Sequence, residues 1–203
     1  LEQKYFYIVG LPRSRTTWLS HLFTTDFSYC FHELLSSYGN YAGAMQRTFK
    51  PFVGSSDTNP VSFLMLPKPN GPVVVIERDK DEAINSFLKW FNPVAAFGGD
   101  YANTVKRLFS FYLEAMDKIK PHALVVEYND LNNNDVVECI WNYCIPGIVF
   151  DKARGMLFQD TVITVKNKDL TRSIKHSAHN LNLKYEDFCK YLMEGKRPWQ
   201  QQQ

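Results

Sequence analysis

Tyr5-Phe6-Tyr7-Ile8-Val9-Gly10-Leu11-Pro12-Arg13-Ser14-Arg15-Thr16-Thr17-Trp18 passes from an apolar run through a sharp turn into a hydroxyl-rich stretch. The run is short and rich in β-branched and aromatic residues, as a buried strand requires. Gly10 and Pro12 end it, and Thr16-Thr17 can open a helix. Free backbone N–H groups at that helix start, the positive end of its dipole, the threonine hydroxyls and the guanidinium groups of Arg13 and Arg15 then converge on one spot, which is a place for an anion. A Walker A loop, G-x-x-x-x-G-K-[ST], is excluded, because Arg15 precedes Thr16 and no Gly-Lys pair is present. An ordinary ATPase or GTPase is disfavoured on that ground. The plain alternative is a capped helix with two surface arginines, so a second anion site is needed to choose.

Residues 73–87 supply one. Val73-Val74-Val75-Ile76-Glu77 is again an apolar run, followed by Arg78-Asp79-Lys80-Asp81-Glu82-Ala83-Ile84-Asn85-Ser86-Phe87. Asp79 or Lys80 starts a helix, Asp81 and Glu82 suit its first turn, and Ala83, Phe87, Trp90 and Phe91 recur at helical spacing as its buried face. A sharp turn after Arg78 lets the arginine fork and the Ser86 hydroxyl clamp one phosphate. A third segment, Val125-Val126-Glu127-Tyr128-Asn129-Asp130-Leu131, carries polar groups at another strand end.

Working outward, the pattern predicts strands near 4–9, 28–33, 73–78 and 123–128, with helices near 16–24, 80–91, 101–119 and 135–144. Alternation of this kind implies the α/β class, a three-layer arrangement of a parallel sheet with helices on both faces. Ligands in such sheets bind beyond the carboxyl ends of the strands, where the 10–15 loop, His32-Glu33, Arg78 and residues 128–130 would lie. Leu108, Phe111, Tyr112, Ala115, Met116 and Ile119 form a helical stripe, read as core. Past residue 145 helices are expected near 151–158, 171–180 and 184–194.

The bulk properties fit one compact enzyme domain. The chain has 203 residues and a formal charge of +2, with no linker, repeat or low-complexity block, so residues 1–203 read as a single domain, with a core that carries the three segments at about 4–131 and a helical part at about 132–195. Near-neutral charge argues against a nucleic-acid field. No apolar stretch approaches the roughly 20 residues of a membrane span, and no signal-peptide pattern precedes Tyr5; with Leu1-Glu2 in place of methionine, the start reads as a cloning or a processing boundary. Cys30, Cys139, Cys144 and Cys189 form no C-x-x-C pair, which speaks against zinc and for reduced thiols in a cytoplasmic setting. His176 and His179 read as surface residues, and Lys166, Lys168, Arg172 and Lys175 as a solvated face or the wall of an acidic acceptor's pocket. Gly98-Gly99 marks a lid or an ordinary connecting loop.

On these three segments the chain resembles the sulfotransferase family, which uses 3′-phosphoadenosine 5′-phosphosulfate as donor. The first loop is similar to the family's 5′-phosphosulfate loop in its Pro-Arg-Ser form; Arg78 followed eight positions later by Ser86 is similar to its 3′-phosphate element; residues 125–131 are similar to its strand-end Tyr-Glu-Asp-Leu element, with Asn129 for the glutamate. The resemblance implies a P-loop NTPase-like topology and donor contacts from Pro12, Arg13, Ser14, Arg15, Thr16, Thr17, Arg78 and Ser86. It also implies transfer without a metal, because a sulfuryl group carries less negative charge than a phosphoryl group and cations suffice to steady the leaving phosphate. Arg13 is the leading catalytic candidate, at the bond that breaks. Two departures stand out: Arg15 occupies the usual glycine position, and no C-terminal glycine-rich loop of the kind that closes over the adenosine follows residue 150.

The acceptor needs a base, and His32 and Glu33 are adjacent candidates at a strand end. Neighbours on a strand point to opposite faces, so one of the two is expected in the site. The branch of the family with the Pro-Arg-Ser loop uses a glutamate there, which favours Glu33; the plain alternative is a hydrogen-bonded core histidine beside a surface charge. The family sulfates carbohydrates, small hydroxylated molecules, amines and tyrosines, so the resemblance implies an acceptor among these, and the least patterned stretches, chiefly 36–70, 92–103 and the C-terminal tail, would select it. Two other classes remain open: a divergent P-loop nucleotide kinase or phosphohydrolase, and a non-catalytic nucleotide-binding module.

Overall fold

β1 (Lys4–Gly10) lies at the middle of a five-stranded sheet of order β2-β3-β1-β4-β5. The other strands are β2 (Ser28–His32), β3 (Phe52–Asp57), β4 (Val73–Glu77) and β5 (Leu124–Glu127), and every pairing is parallel. The computed structural model describes residues 2–34, 41–65, 67–90 and 101–159. The expected helices near 171–180 and 184–194, Phe91, Gly98-Gly99, His176, His179 and the basic residues 166–175 lie outside them. Helices α1 (Thr16–Leu22), α2 (Tyr41–Gln46), α3 (Pro60–Met65), α4 (Lys80–Trp90), α5 (Tyr101–Ile119), α6 (Asn134–Cys144) and α7 (Lys152–Gln159) complete the described elements.

Alternation along β1 divides the core in two. Tyr7, Val9, Val53 and Val75 pack with Phe63 of α3, Phe87 of α4, and Phe109 and Met116 of α5. Phe6, Ile8, Val74 and Ile76 pack with Leu19 and Leu22 of α1 and with Ile140 and Trp141 of α6. A strand buried on both faces reads as one continuous apolar run, which is why β1 and β4 are conspicuous in the sequence. The α5 stripe from Leu108 to Ile119 is buried as expected.

β3 is the element that the pattern does not reveal. Its sequence, FVGSSD, has glycine and serines where a central strand usually has β-branched residues, yet every residue in it is buried. Gly54 is there for a steric reason: a Cβ on it would sit 2.2 Å from the Phe6 ring, so only glycine lets that ring cross the strand. The end of β3 does carry a helix signal. Asn59 Oδ1 accepts the Ser62 N–H at 3.0 Å, and Pro60 is the first residue of α3.

With β1 between β3 and β4, the chain leaves β1 for one side of the sheet and later crosses to the other. The crevice at the carboxyl end of β1 is therefore the switch point at which such sheets bind ligands. α7 braces this region from below: the Trp18 indole N–H donates to the Phe158 carbonyl at 2.5 Å, and Arg154 Nη2 donates to the carbonyls of His21 at 3.0 Å and Thr24 at 2.8 Å, closing the end of α1. Among the described residues no helix is long and apolar enough to cross a membrane, and Cys30, Cys139 and Cys144 are free thiols.

Candidate functional site

The β1–α1 loop bends through two left-handed residues, Arg13 at φ 72° and Arg15 at φ 59°. Each costs roughly 1–2 kcal/mol in a residue with a Cβ, and such strain concentrates at functional sites. Arg15 thus keeps the backbone conformation of the glycine it stands for and adds a side chain. Pro12, Ser14 and Thr16 are buried, Arg15 and Thr17 half-buried, and Arg13 exposed. Gly10 leaves the turn its room, since a Cβ there would lie 3.2 Å from Ser14 Cβ and 3.3 Å from Ile76 Cβ. α1 is only 7 residues long, so side chains contribute more to this anion site than a helix dipole does.

The loop and the end of β4 are tied together. An Nη1 N–H of Arg78 donates to the Arg13 carbonyl, and Arg13 Nε reaches Ser86 Oγ on α4 at 3.4 Å. Arg13, Arg78 and Ser86, from two separate sequence segments, therefore meet. Arg78 also lies over the Tyr128 ring at 4.0 Å from its centroid, and Arg15 approaches the same ring at 5.3 Å and the Trp18 ring at 5.8 Å. Although Arg13 as a whole is exposed, partial desolvation of its guanidinium and then the Arg78 charge pull its pKa below the usual arginine value, with Tyr128 opposing. Glu77, next to Arg78, does not sit as a free negative charge, because Lys120 Nζ donates to its Oε1 at 2.6 Å.

Three buried polar atoms of this region have no hydrogen-bond partner within the protein: Ser14 Oγ, Arg15 Nη1 and Arg78 Nε. Ser14 itself is 0% exposed. Buried donors without partners are costly, about 1–3 kcal/mol each, and in folded proteins they mark a ligand or water. A ligand that brings anionic groups to this edge would supply the missing acceptors.

On the other side of β1, β2 ends at His32, one residue earlier than expected. Glu33 turns left-handed at φ 55°, held by its N–H to the Ser56 carbonyl at 2.9 Å. Strand alternation is therefore broken at Glu33, and its carboxylate folds back to 3.9 Å from His32 Nε2. His32 Nε2 is 2.8 Å from Thr17 Oγ1, and Thr58 Oγ1 donates to Glu33 Oε1 at 2.6 Å. A polar chain Thr17–His32–Glu33–Thr58 so runs from the loop to the end of β3. Asp57, 1% exposed and paired to Val9 in register, accepts from the Ser55 hydroxyl nearby. Asp57 and Thr58 were not legible as site residues because β3 itself was not; the Asn59-Pro60 helix start was the signal that a strand ends just before it. Among the described residues no group of three or more His, Cys, Asp or Glu is arranged to hold a metal ion.

No family model matches the sequence, and no curated protein matches it. Among solved structures the chain is similar to the crystal structure of mouse sulfotransferase SULT7A1 complexed with PAP, with a TM-score of 0.57 and 11% identity over 96% of this chain and 88% of that one. The fold is a sulfotransferase fold. The parallel sheet with helices on both faces is the architecture that the sequence pattern predicts.

Proposed function

We propose that this chain is a sulfotransferase that moves a sulfuryl group from 3′-phosphoadenosine 5′-phosphosulfate to a hydroxyl or amine of an acceptor. The reading is carried by one observation: Ser14 Oγ, Arg15 Nη1 and Arg78 Nε, drawn from the two segments that resemble donor-binding elements, are each buried without a partner, in a chain whose fold is similar to that of a PAP-bound sulfotransferase. The crystal structure it resembles contains PAP, which supports a nucleotide of that type here.

In this reading the 12–17 loop holds the 5′ end of the donor through Pro12, Arg13, Ser14, Thr16 and Thr17, Arg78 with Ser86 holds the 3′-phosphate, and Arg15 is a further donor contact from the same loop. The donor supplies an activated sulfuryl group on an anhydride oxygen. Arg13 neutralises the charge that grows on the leaving phosphate, which is electrostatic stabilisation by a pre-placed cation. Glu33 accepts the acceptor's proton. Thr58 holds the Glu33 carboxylate, and His32 stands 3.9 Å away as the alternative base. Residues 1–203 act as one unit, and the acceptor is a small molecule or a carbohydrate.

A thermal-shift titration tests this. 3′-Phosphoadenosine 5′-phosphate is expected to raise Tm while magnesium-ATP does not, and Arg78→Ala to abolish the rise. No preference between the two nucleotides overturns the reading. A second reading, a divergent P-loop kinase or phosphohydrolase, is favoured only by Asp57 at the end of the strand beside β1, where a carboxylate can serve a magnesium-bound phosphate. Magnesium-dependent ATP turnover would establish it.

A further inference from the structure

Arg15 is the residue that the donor loop would not be expected to contain. Glycine would adopt its backbone angles, φ 59° and ψ 21°, without steric conflict, so the side chain is retained against a local cost. That side chain is not free in solvent. It lies against Trp18 and Tyr128, and its Nη1 is buried with no partner. Arg78 lies on the same Tyr128 ring, with its Nε buried and unpartnered in the same way. One phenol ring therefore gathers two like-charged guanidinium groups, each with one buried nitrogen that has no acceptor. A dianion within reach of both would offset their like charge and supply those acceptors, and the planar fork of arginine suits two phosphate oxygens.

The end of the ligand that this pair serves follows from its neighbours. In the donor reading Arg78 and Ser86 take the 3′-phosphate, and Arg13 touches both, Arg78 through its carbonyl and Ser86 through its Nε; Arg15 shares the Tyr128 ring with Arg78, whereas the Ser14 hydroxyl is buried in the loop itself. We propose that Arg15 is a second ligand of the donor's 3′-phosphate, paired with Arg78 by the Tyr128 ring, and that this pair makes the chain select nucleoside 3′,5′-bisphosphates over 5′-monophosphates. The inference rests on the donor reading given above. Tyr128 is a positioning residue in it, and Arg15 a specificity residue contributed by the loop in place of glycine.

Calorimetric titration of the full chain with adenosine 3′,5′-bisphosphate and with adenosine 5′-monophosphate tests the pair. Arg15→Gly is expected to weaken bisphosphate binding by about ten-fold and to leave the monophosphate within about two-fold, while Tm stays level or rises because the strained arginine backbone is gone. Tyr128→Phe keeps the ring and the preference; Tyr128→Leu lowers the preference as Arg15→Gly does. Unchanged bisphosphate affinity in Arg15→Gly overturns the proposal and leaves the donor reading standing. Equal losses for both nucleotides also overturn it, by moving Arg15 to the 5′ end. A wild-type chain that prefers neither bisphosphate nor monophosphate over ATP defeats the donor reading and this proposal with it.

Discussion

The carboxyl edge of the sheet is finished differently on its two sides. Around β1, β4 and β5 it is cationic, and Ser14, Arg15 and Arg78 each hold a buried polar atom without a partner. Around β2 and β3 it carries an imidazole and two carboxylates, and Thr17, His32, Glu33 and Thr58 are already joined to one another or within 3.9 Å; Ser56 Oγ is the exception there. A side with unmet donors is built for a ligand that brings the missing acceptors. A side whose polar groups hold each other keeps them in one orientation before anything binds, as the proposed base requires.

If that division is right, the two sides should fail in different ways. The largest effect is expected from Arg13→Ala, which removes the cation proposed for the leaving phosphate and should lower kcat by about 10³-fold; single-turnover assays with saturating donor would measure it, and a kcat within a few-fold of wild type would remove Arg13 from the chemistry. Glu33→Gln keeps the shape but not the charge. Turnover should fall by about 10²-fold with 3′-phosphoadenosine 5′-phosphate affinity nearly intact, and parallel losses in both would erase the distinction between the sides. Should Glu33→Gln leave turnover unchanged, His32→Gln becomes the decisive variant. The smallest effect is expected at the seam. Thr17→Val removes the hydroxyl that touches His32 while remaining in the donor loop, so it should weaken donor binding and turnover together, each by about ten-fold or less. A change in only one of the two would assign Thr17 to that side alone.

Much of the cationic side was readable because its signals are local. An apolar run closed by Gly10 and Pro12, and an arginine eight positions before a serine, need no knowledge of tertiary structure, and the structure brings Arg13, Arg78 and Ser86 into contact. The other side was less legible for two physical reasons. β3 draws its strand character from its neighbours and from the Phe6 ring that needs Gly54, not from its own propensities. The convergence of His32 and Glu33 depends on one left-handed residue at Glu33, which no alternation rule anticipates. Arg15 was visible as an anomaly in the loop, but its meaning depends on Tyr128, more than a hundred positions away.

The brace under α1 bears on how the site comes into being during synthesis. The groups that close the helix after the loop, Arg154 and Phe158, follow their partners by 130 to 140 residues. A ribosome delivers them last among the described elements, so the strands can pair while the helix end still lacks its cap and Trp18 its acceptor. The loop that is read first in the chain is thus completed late, and a nascent chain halted before residue 150 would expose Trp18 and the last carbonyls of α1.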